Sequence, residues 1–125
     1  MRCSCVALSL ALFSSNAGAA NWVRISNSDT GTIGYVDTDS IVVSGSTSVV
    51  WLRWDSSKDK TKKAAQSKEQ YQVSCVGRTL KILHWVDYGS DGRVLGSGPK
   101  YPSLQDAEPA VPDTAGETIV KTVCN

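Results

Sequence analysis

Residues 69–88 read EQYQVSCVGRTLKILHWVDY and carry the clearest structural signal in the chain. Apolar and polar residues alternate along Glu69–Val76, and Thr79–Tyr88 is a second run rich in β-branched and aromatic residues. Such runs are typical of β-strands, and the Gly77–Arg78 pair between them is typical of a tight turn. The stretch therefore predicts a β-hairpin made of the fifth and sixth strands.

The first twenty residues, 1–20, are predicted to be a secretory signal peptide. A positive charge precedes a short apolar run, Val6–Phe13, and small residues follow it, which is the pattern that a signal peptidase recognises. The apolar run is too short to span a bilayer, which takes about 20 residues. Cleavage after Ala19 and cleavage after Ala20 both fit the pattern, and we choose Ala20. The predicted organisation is a signal peptide followed by one domain, residues 21–125.

Only two cysteines, Cys75 and Cys124, remain in the exported chain. Cys3 and Cys5 are removed with the signal peptide, and they precede its apolar run, whereas a lipidated cysteine would follow it. An isolated pair in an oxidising compartment most simply forms a disulfide. A metal site is the competing interpretation, but two cysteines and the single histidine are too few ligands at the wrong spacing. We therefore predict a disulfide and no lipid anchor.

Four further strands are predicted before the hairpin: Asn21–Ser26, Ile33–Asp37, Ile41–Val43 and Val49–Asp55. Ser56–Lys68 has five lysines and no large apolar residue, which predicts an exposed loop. Gly89–Gly98 predicts a loop with at most a brief strand, and Pro99–Pro112 holds all four prolines and predicts an irregular connector.

The C-terminal residues predict a short amphipathic helix. Thr114 and Glu117 match the capping-box pattern, and four apolar residues recur at helical spacing: Ile119, Val120, Val123 and Cys124. The fold class is therefore predicted as α+β: an antiparallel meander of about six strands, with the helix packed on one face and tied to it by the disulfide. That bond requires the side of the fifth strand with Tyr71, Val73 and Cys75 to face the helix.

Several residues occur in the order typical of a known family. They are Trp22-Val23, Tyr35-Val36-Asp37-Thr38-Asp39-Ser40-Ile41, Val50-Trp51-Leu52, Tyr71 four residues before Cys75, Arg78, Tyr88-Gly89 and the final cysteine. In this order the chain resembles the bacterial surface-adhesin protein E family over nearly all of residues 21–125. The resemblance implies an antiparallel sheet with a C-terminal helix held by the cysteine pair. It also implies a binding protein that engages host extracellular-matrix and plasma proteins. The missing lipidation motif departs from the members that are lipoproteins.

The residue types argue against catalysis. His84 is the only histidine, it falls in register with Leu80 on the more apolar side of its strand, and no spacing supplies it with a nucleophile or an orienting partner. Asp37 and Asp39 fit Asx-type turn bonds better than a calcium loop. We predict no catalytic residue, no cofactor and no metal ligand.

The balance of charged residues limits the classes of partner that the protein is expected to bind. Thirteen basic residues against twelve acidic ones do not indicate a nucleic-acid-binding protein. Five closely spaced lysines form the largest local charge: Lys58, Lys60, Lys62, Lys63 and Lys68. They are either a solvated loop or a contact surface for anionic partners.

A second candidate surface follows from alternation along the predicted strands. Trp51 and Arg53 share one side of the fourth strand, and Trp85 falls opposite the Leu80 side of the sixth. These three residues are therefore expected to share the sheet face away from the helix, as an interface for a protein partner or a homodimer. The competing interpretation is that the connector Pro99–Pro112 covers them.

The function that follows is a non-enzymatic extracytoplasmic binding protein of the adhesin E type, periplasmic, secreted or at the cell surface. The alternative is a soluble periplasmic accessory or inhibitor protein that acts on an envelope component.

Overall fold

The computed structural model describes residues 20–99 and 106–125. All but the last residue of the predicted signal peptide, and residues 100–105 of the predicted connector, lie outside the described residues. The elements are β1 (Trp22–Asn27), β2 (Ile33–Ser44), β3 (Thr47–Asp55), β4 (Gln66–Ser74), β5 (Thr79–Tyr88), β6 (Val94–Pro99), β7 (Glu108–Pro109) and α1 (Ala115–Cys124).

The strands form one antiparallel sheet. β1 to β6 lie side by side in chain order, and the short β7 pairs with the start of β5, at the edge that β6 occupies further along. Together with α1, this arrangement confirms the predicted α+β meander with a C-terminal helix.

Two predicted short strands, Ile33–Asp37 and Ile41–Val43, are parts of the single strand β2. The predicted turn between them is an irregularity in the β2–β3 ladder, where regular pairing stops at Asp37 and resumes at Val42. The Ser40 hydroxyl bridges the gap: it donates to the carbonyl oxygen of Asp37 (2.7 Å) and accepts from the amide of Trp51 (2.9 Å). A side chain therefore replaces the missing backbone partner, and the strand continues.

The strand boundaries after β3 also differ from prediction. β4 begins at Gln66, so Lys68 lies in a strand rather than in the exposed loop. Val94–Pro99 is a full strand although it contains two glycines. The indole of Trp85 explains this strand, because it lies against Gly96, where an added Cβ would be 3.2 Å from the ring. A cross-strand aromatic residue thus supplies the packing that the glycine lacks.

The core lies between one face of the sheet and α1. Its buried members are Val36, Val50, Leu52 and Val73 from the sheet and Ile119, Val120 and Val123 from the helix. The predicted apolar helix positions are therefore confirmed for these three residues.

The predicted disulfide joins the end of α1 to the sheet. Cys75 and Cys124 are bonded, with their Cα atoms 5.7 Å apart and a sequence separation of 49. Closing a loop of this length stabilises the folded state by about 4 kcal/mol if the unfolded chain behaves as a random coil. Val73 is fully buried against the helix, which confirms the predicted orientation of the strand.

The start of α1 departs from the predicted capping box. The Thr114 hydroxyl donates to the carbonyl of Val111 (2.6 Å), and Glu117 accepts from the amide of Asp113 (2.7 Å). Glu117 also pairs with Lys121 at 2.7 Å, and these contacts hold the pKa of its carboxyl below the ordinary value. Half of the motif forms, displaced by one residue onto Asp113, which adopts a left-handed conformation with φ 61°.

Candidate functional site

The sheet surface opposite α1, which we call the far face, collects aromatic and basic side chains. Strand register aligns them in two rows, since directly paired residues point to the same side. The first row is Trp22, Asp37, Trp51, Gln70, His84 and Pro99. The second row is Arg24, Tyr35, Arg53, Lys68, Val86 and Ser97. The predicted pair Trp51 and Arg53 is therefore on this face.

Arg53 lies at the centre of the far face between two aromatic rings. Its guanidinium carbon is 4.5 Å from the centre of the Tyr35 ring and 4.9 Å from that of Trp22. Cation–π attraction favours both contacts. The Nε atom of Arg53 is buried, and no described residue accepts a hydrogen bond from it. Aromatic packing thus fixes the guanidinium while leaving hydrogen-bonding capacity unused.

Lys68 is paired directly across from Arg53. Like charges at directly opposed positions of a sheet destabilise it, so this pair requires an explanation. The Lys68 ammonium lies 5.8 Å from the centre of the Tyr88 ring, which provides partial compensation. Among residues 20–99 and 106–125, neither cation takes part in an ion pair. The far face therefore holds two adjacent positive charges without a paired carboxylate.

Two acids near these cations, Asp37 and Asp55, are engaged by backbone amides. Asp37 Oδ1 accepts from the amides of Asn21 (3.0 Å) and Asp39 (3.1 Å). Asp55 Oδ1 accepts from the amide of Ser57 (3.0 Å). Hydrogen bonds from Ser57 are the main reason that the pKa of Asp55 is lowered, and the positive charge of Arg53 adds to the effect. Both carboxylates are therefore held in place rather than drawn to the two cations.

A cleft of about 250 Å³ opens beside Lys68. It is lined by Trp22, Asp37, Trp51, Lys68, Val86 and Tyr88. Flat aromatic walls next to a positive charge suit a segment that presents an acidic group beside an apolar one.

Trp85 does not lie on the far face, so the prediction that it shares a surface with Trp51 is wrong. The register of β5 shifts at Leu83: Tyr71 pairs with Ile82, whereas Gln70 pairs with His84. One extra residue reverses the sides of everything that follows. Trp85 therefore lies on the helix side, opposite Glu69, and His84 lies on the far face rather than with Leu80.

The helix side of the sheet pairs its polar groups. The Glu69 carboxylate accepts from the indole of Trp54 (2.9 Å) and from the hydroxyl of Tyr71 (2.8 Å). Burial, followed by the charge of Glu69, raises the pKa of Tyr71 well above its ordinary value, so the phenol remains a donor. Residues 106–111 of the connector also contribute to this side, lining a pocket with Leu80 and α1. Residues 106–111 of the connector therefore do not cover the far face, whose first row ends at Pro99, the first residue of the predicted connector.

The lysine-rich segment is exposed at its lysines and anchored at Asp59. Lys58, Lys60, Lys62 and Lys63 are exposed, whereas Asp59 is only 3% exposed. Asp59 accepts from the hydroxyls of Thr30 (2.7 Å), Thr32 (2.6 Å) and Thr61 (2.5 Å). These three bonds hold the pKa of Asp59 well below its ordinary range. Sequence reasoning missed this anchor, and the Asp59-x-Thr61 spacing was its one local signal.

The candidate residues thus fall on two surfaces. Lys62 and Lys63 line a groove together with Trp54, Glu69 and Asp87, which is on the helix side. Trp51 and Arg53 lie on the far face, where Lys68, Tyr35 and Trp22 join them. The sequence instead predicts Lys68 in the lysine-rich loop, and it does not assign Tyr35 or Trp22, because the contacts of these two rings with Arg53 link three different strands.

The described residues offer neither a metal centre nor a membrane-spanning helix. No group of three or more His, Cys, Asp or Glu side chains in that part of the chain is placed to hold a metal ion. Its one helix is too short and too polar to cross a membrane.

Comparison with known proteins places this geometry in context. A family model described as "Surface-adhesin protein E" matches residues 22–125. Among solved structures, the chain is similar to Haemophilus influenzae protein E, with 16% identity, a TM-score of 0.57 and coverage of 88% of both chains. Crystal form II of that protein gives the same identity and TM-score, with 94% of this chain and 96% of that chain covered. At this identity the likeness shows a shared fold. No curated protein sequence matches the chain.

Proposed function

The chain belongs to the surface-adhesin protein E family, and we propose that it is an exported, non-enzymatic binding protein that contacts host matrix or plasma proteins through the far face. Export depends on the signal peptide predicted at residues 1–20. The family is one of surface adhesins, and we assign the binding role of this chain to one surface, the far face.

The observation that supports this proposal is the directly opposed pair of cations, Arg53 and Lys68. A sheet that needed only stability would place an acid or an apolar residue at one of these positions. Trp22 and Tyr35 hold the guanidinium in place, so little side-chain entropy remains to be lost when a partner binds. Tryptophan, tyrosine and arginine also dominate the energetic centres of protein interfaces. A carboxylate-bearing segment of a protein partner is the ligand that this surface fits.

Removing the central guanidinium tests the proposal. The exported chain would be added to immobilised basement-membrane matrix and plasma proteins, with serum albumin as the background. Arg53→Ala should weaken specific binding by about 30-fold, the equivalent of about 2 kcal/mol at an interface centre. Arg93→Ala is the matched control, because Arg93 is highly exposed on the turn before β6, and it should bind as the wild type does.

The melting temperature of each variant must be measured together with binding. Binding that persists in a folded Arg53→Ala variant would move the interface to another surface. Absence of specific binding by the wild type would contradict the adhesive role itself.

Localisation separates the adhesive role from its alternative. Protease added to intact cells should degrade the protein if it is displayed at the surface. A pool that is protected in intact cells and released with the periplasm would favour an accessory or inhibitor protein acting on an envelope component.

A further inference from the structure

The residue just before β1 is attached to β2 by its backbone and its side chain. The amide nitrogen of Asn21 donates to Asp37 Oδ1 at 3.0 Å, and the amide of Thr38 donates to the Asn21 carbonyl at 3.0 Å. The Asn21 side chain also donates to the Thr38 hydroxyl at 3.0 Å. Ala20, by contrast, is exposed. Within the described residues, the hydrogen bonds that hold this end of the chain to β2 therefore begin at the nitrogen of residue 21.

Asp37, which receives that nitrogen, is a nearly buried acid. It is 9% exposed, and its carboxylate accepts hydrogen bonds from the backbone amides of Asn21 and Asp39. Within the described part of the chain it forms no ion pair. Lys68 shares the same cleft but belongs to a strand two positions away in the sheet. Burying a carboxylate costs free energy when only neutral groups compensate its charge. A cationic partner would offset this cost, and none of the described residues supplies one to Asp37.

We propose that cleavage between Ala20 and Asn21 supplies this partner: the new α-ammonium of Asn21 forms an ion pair with Asp37 and locks β1 onto β2. Hydrolysis consumes one water molecule, leaves a carboxylate on Ala20, and leaves on Asn21 an amine that takes up a proton. The atom that donates at 3.0 Å is the atom that becomes charged. A charge-assisted hydrogen bond is roughly twice as strong as a neutral one. The proposal rests on the export part of the proposed function and is independent of any ligand.

The lock acts where the far face is assembled. Trp22 follows Asn21 directly, and its ring is one of the two that hold Arg53. Asp37 lies between Trp22 and Trp51 in the same row. Processing would therefore attach more firmly the edge strand that carries Trp22 to the far face.

The test compares chains that differ only at the N-terminus. One chain begins at Asn21 with a free amine, the second begins at Asn21 with an acetylated amine, and the third retains Ala20 behind an initiating methionine. The free-amine chain should melt about 4–8 °C above the other two, the shift expected for one good interaction in a domain of this size. Exchange of the amides of β1 with deuterated solvent should be slower in that chain as well.

Substitution of the acid provides the decisive control. In Asp37→Asn the three N-terminal forms should melt together, because the ammonium has lost its partner. In Asp39→Asn, which makes the same charge change at an exposed neighbour, the free-amine advantage should persist. Equal melting temperatures of all three wild-type forms would overturn the proposal. An exported protein whose sequenced N-terminus is not Asn21 would overturn it as well, whether or not the protein binds a host ligand.

Discussion

On the helix side of the sheet, polar groups have partners: the Glu69 carboxylate accepts two hydrogen bonds, and Asp59 accepts from three threonines. On the far face, the guanidinium of Arg53 is packed between two rings, its buried Nε has no acceptor among the described residues, and a second cation lies opposite it. The two faces belong to the same strands, and every second residue changes side. The difference is that these two acids on the helix side are satisfied within the fold, whereas the far face holds two adjacent cations that form no ion pair among the described residues.

The largest expected contrast is between two consecutive residues of β3, Leu52 and Trp51. Leu52 is fully buried under α1, and Trp51 is half-buried on the far face. Leu52→Ala should lower the free energy of unfolding by about 2–5 kcal/mol, because it removes apolar contacts and leaves a cavity. Trp51→Ala should lower it by about 1 kcal/mol, within the usual range for a point substitution. Denaturant unfolding of both variants measures the contrast.

Equal losses in the two variants would show that Trp51 serves the core, and the separation of the two faces would no longer hold. A small loss in the free energy of unfolding of Trp51→Ala, together with weakened ligand binding, would support the separation of the two faces.

A second contrast concerns acid sensitivity, which should reside in the anchored carboxylate on the helix side. The pKa of Asp59 is lowered by its three threonine hydroxyls. Stability from a lowered pKa is present above the unfolded value of about 3.9 and is lost as the pH falls through the folded value. At pH 7, Asp59→Asn should therefore melt below the wild type and expose residues 56–65 to protease. The gap between the two melting temperatures should narrow below about pH 4.

Asp29→Asn is the matched control for this prediction, since Asp29 is exposed in the neighbouring turn. If the difference in melting temperature between the wild type and Asp59→Asn stayed constant down to about pH 2, Asp59 would not act through its charge.

The smallest effect is expected at the lysines themselves. Replacing Lys60, Lys62 and Lys63 with serine should change the free energy of unfolding by under about 1 kcal/mol, because exposed charges contribute little to stability. Retention on a heparin column should fall and become less sensitive to salt, since these lysines carry local positive charge. Unchanged retention would identify the segment as a solvated loop and leave Arg53 and Lys68 as the cations that matter for binding.

Much of the fold could be predicted because its signals are local. The alternation of Glu69–Val76 is confirmed as far as Ser74, where the strand ends and the turn begins. The helical spacing of Ile119, Val120 and Val123 and the pairing of Cys75 with Cys124 are also confirmed. The placement of Trp85 failed because it extended alternation through Leu83, where the strand gains one residue. Strict periodicity has no means of detecting such a bulge, since the cause is packing against neighbouring strands.

The candidate site also has a part that the sequence predicts and a part that it does not. Alternation along β3 was sufficient to put Trp51 and Arg53 on one side, because that strand is regular against β4. The rings around Arg53 could not be predicted, because Trp22 and Tyr35 come from two other strands whose register depends on the irregular stretch between Asp37 and Val42. The sequence predicts Asp59 as part of an exposed charged loop, whereas the hydroxyls of Thr30 and Thr32, far away in sequence, donate to its carboxylate.

The sequence by itself determined the hairpin, the terminal helix and the cysteine pair that joins them. These depend on residues that are neighbours in the chain or, for the cysteines, on there being one partner to choose. Only the tertiary structure decided which side Trp85 occupies, which rings hold Arg53, and which acid meets the nitrogen of Asn21. Those outcomes depend on register between strands, and one inserted residue or one bridging side chain is enough to change it.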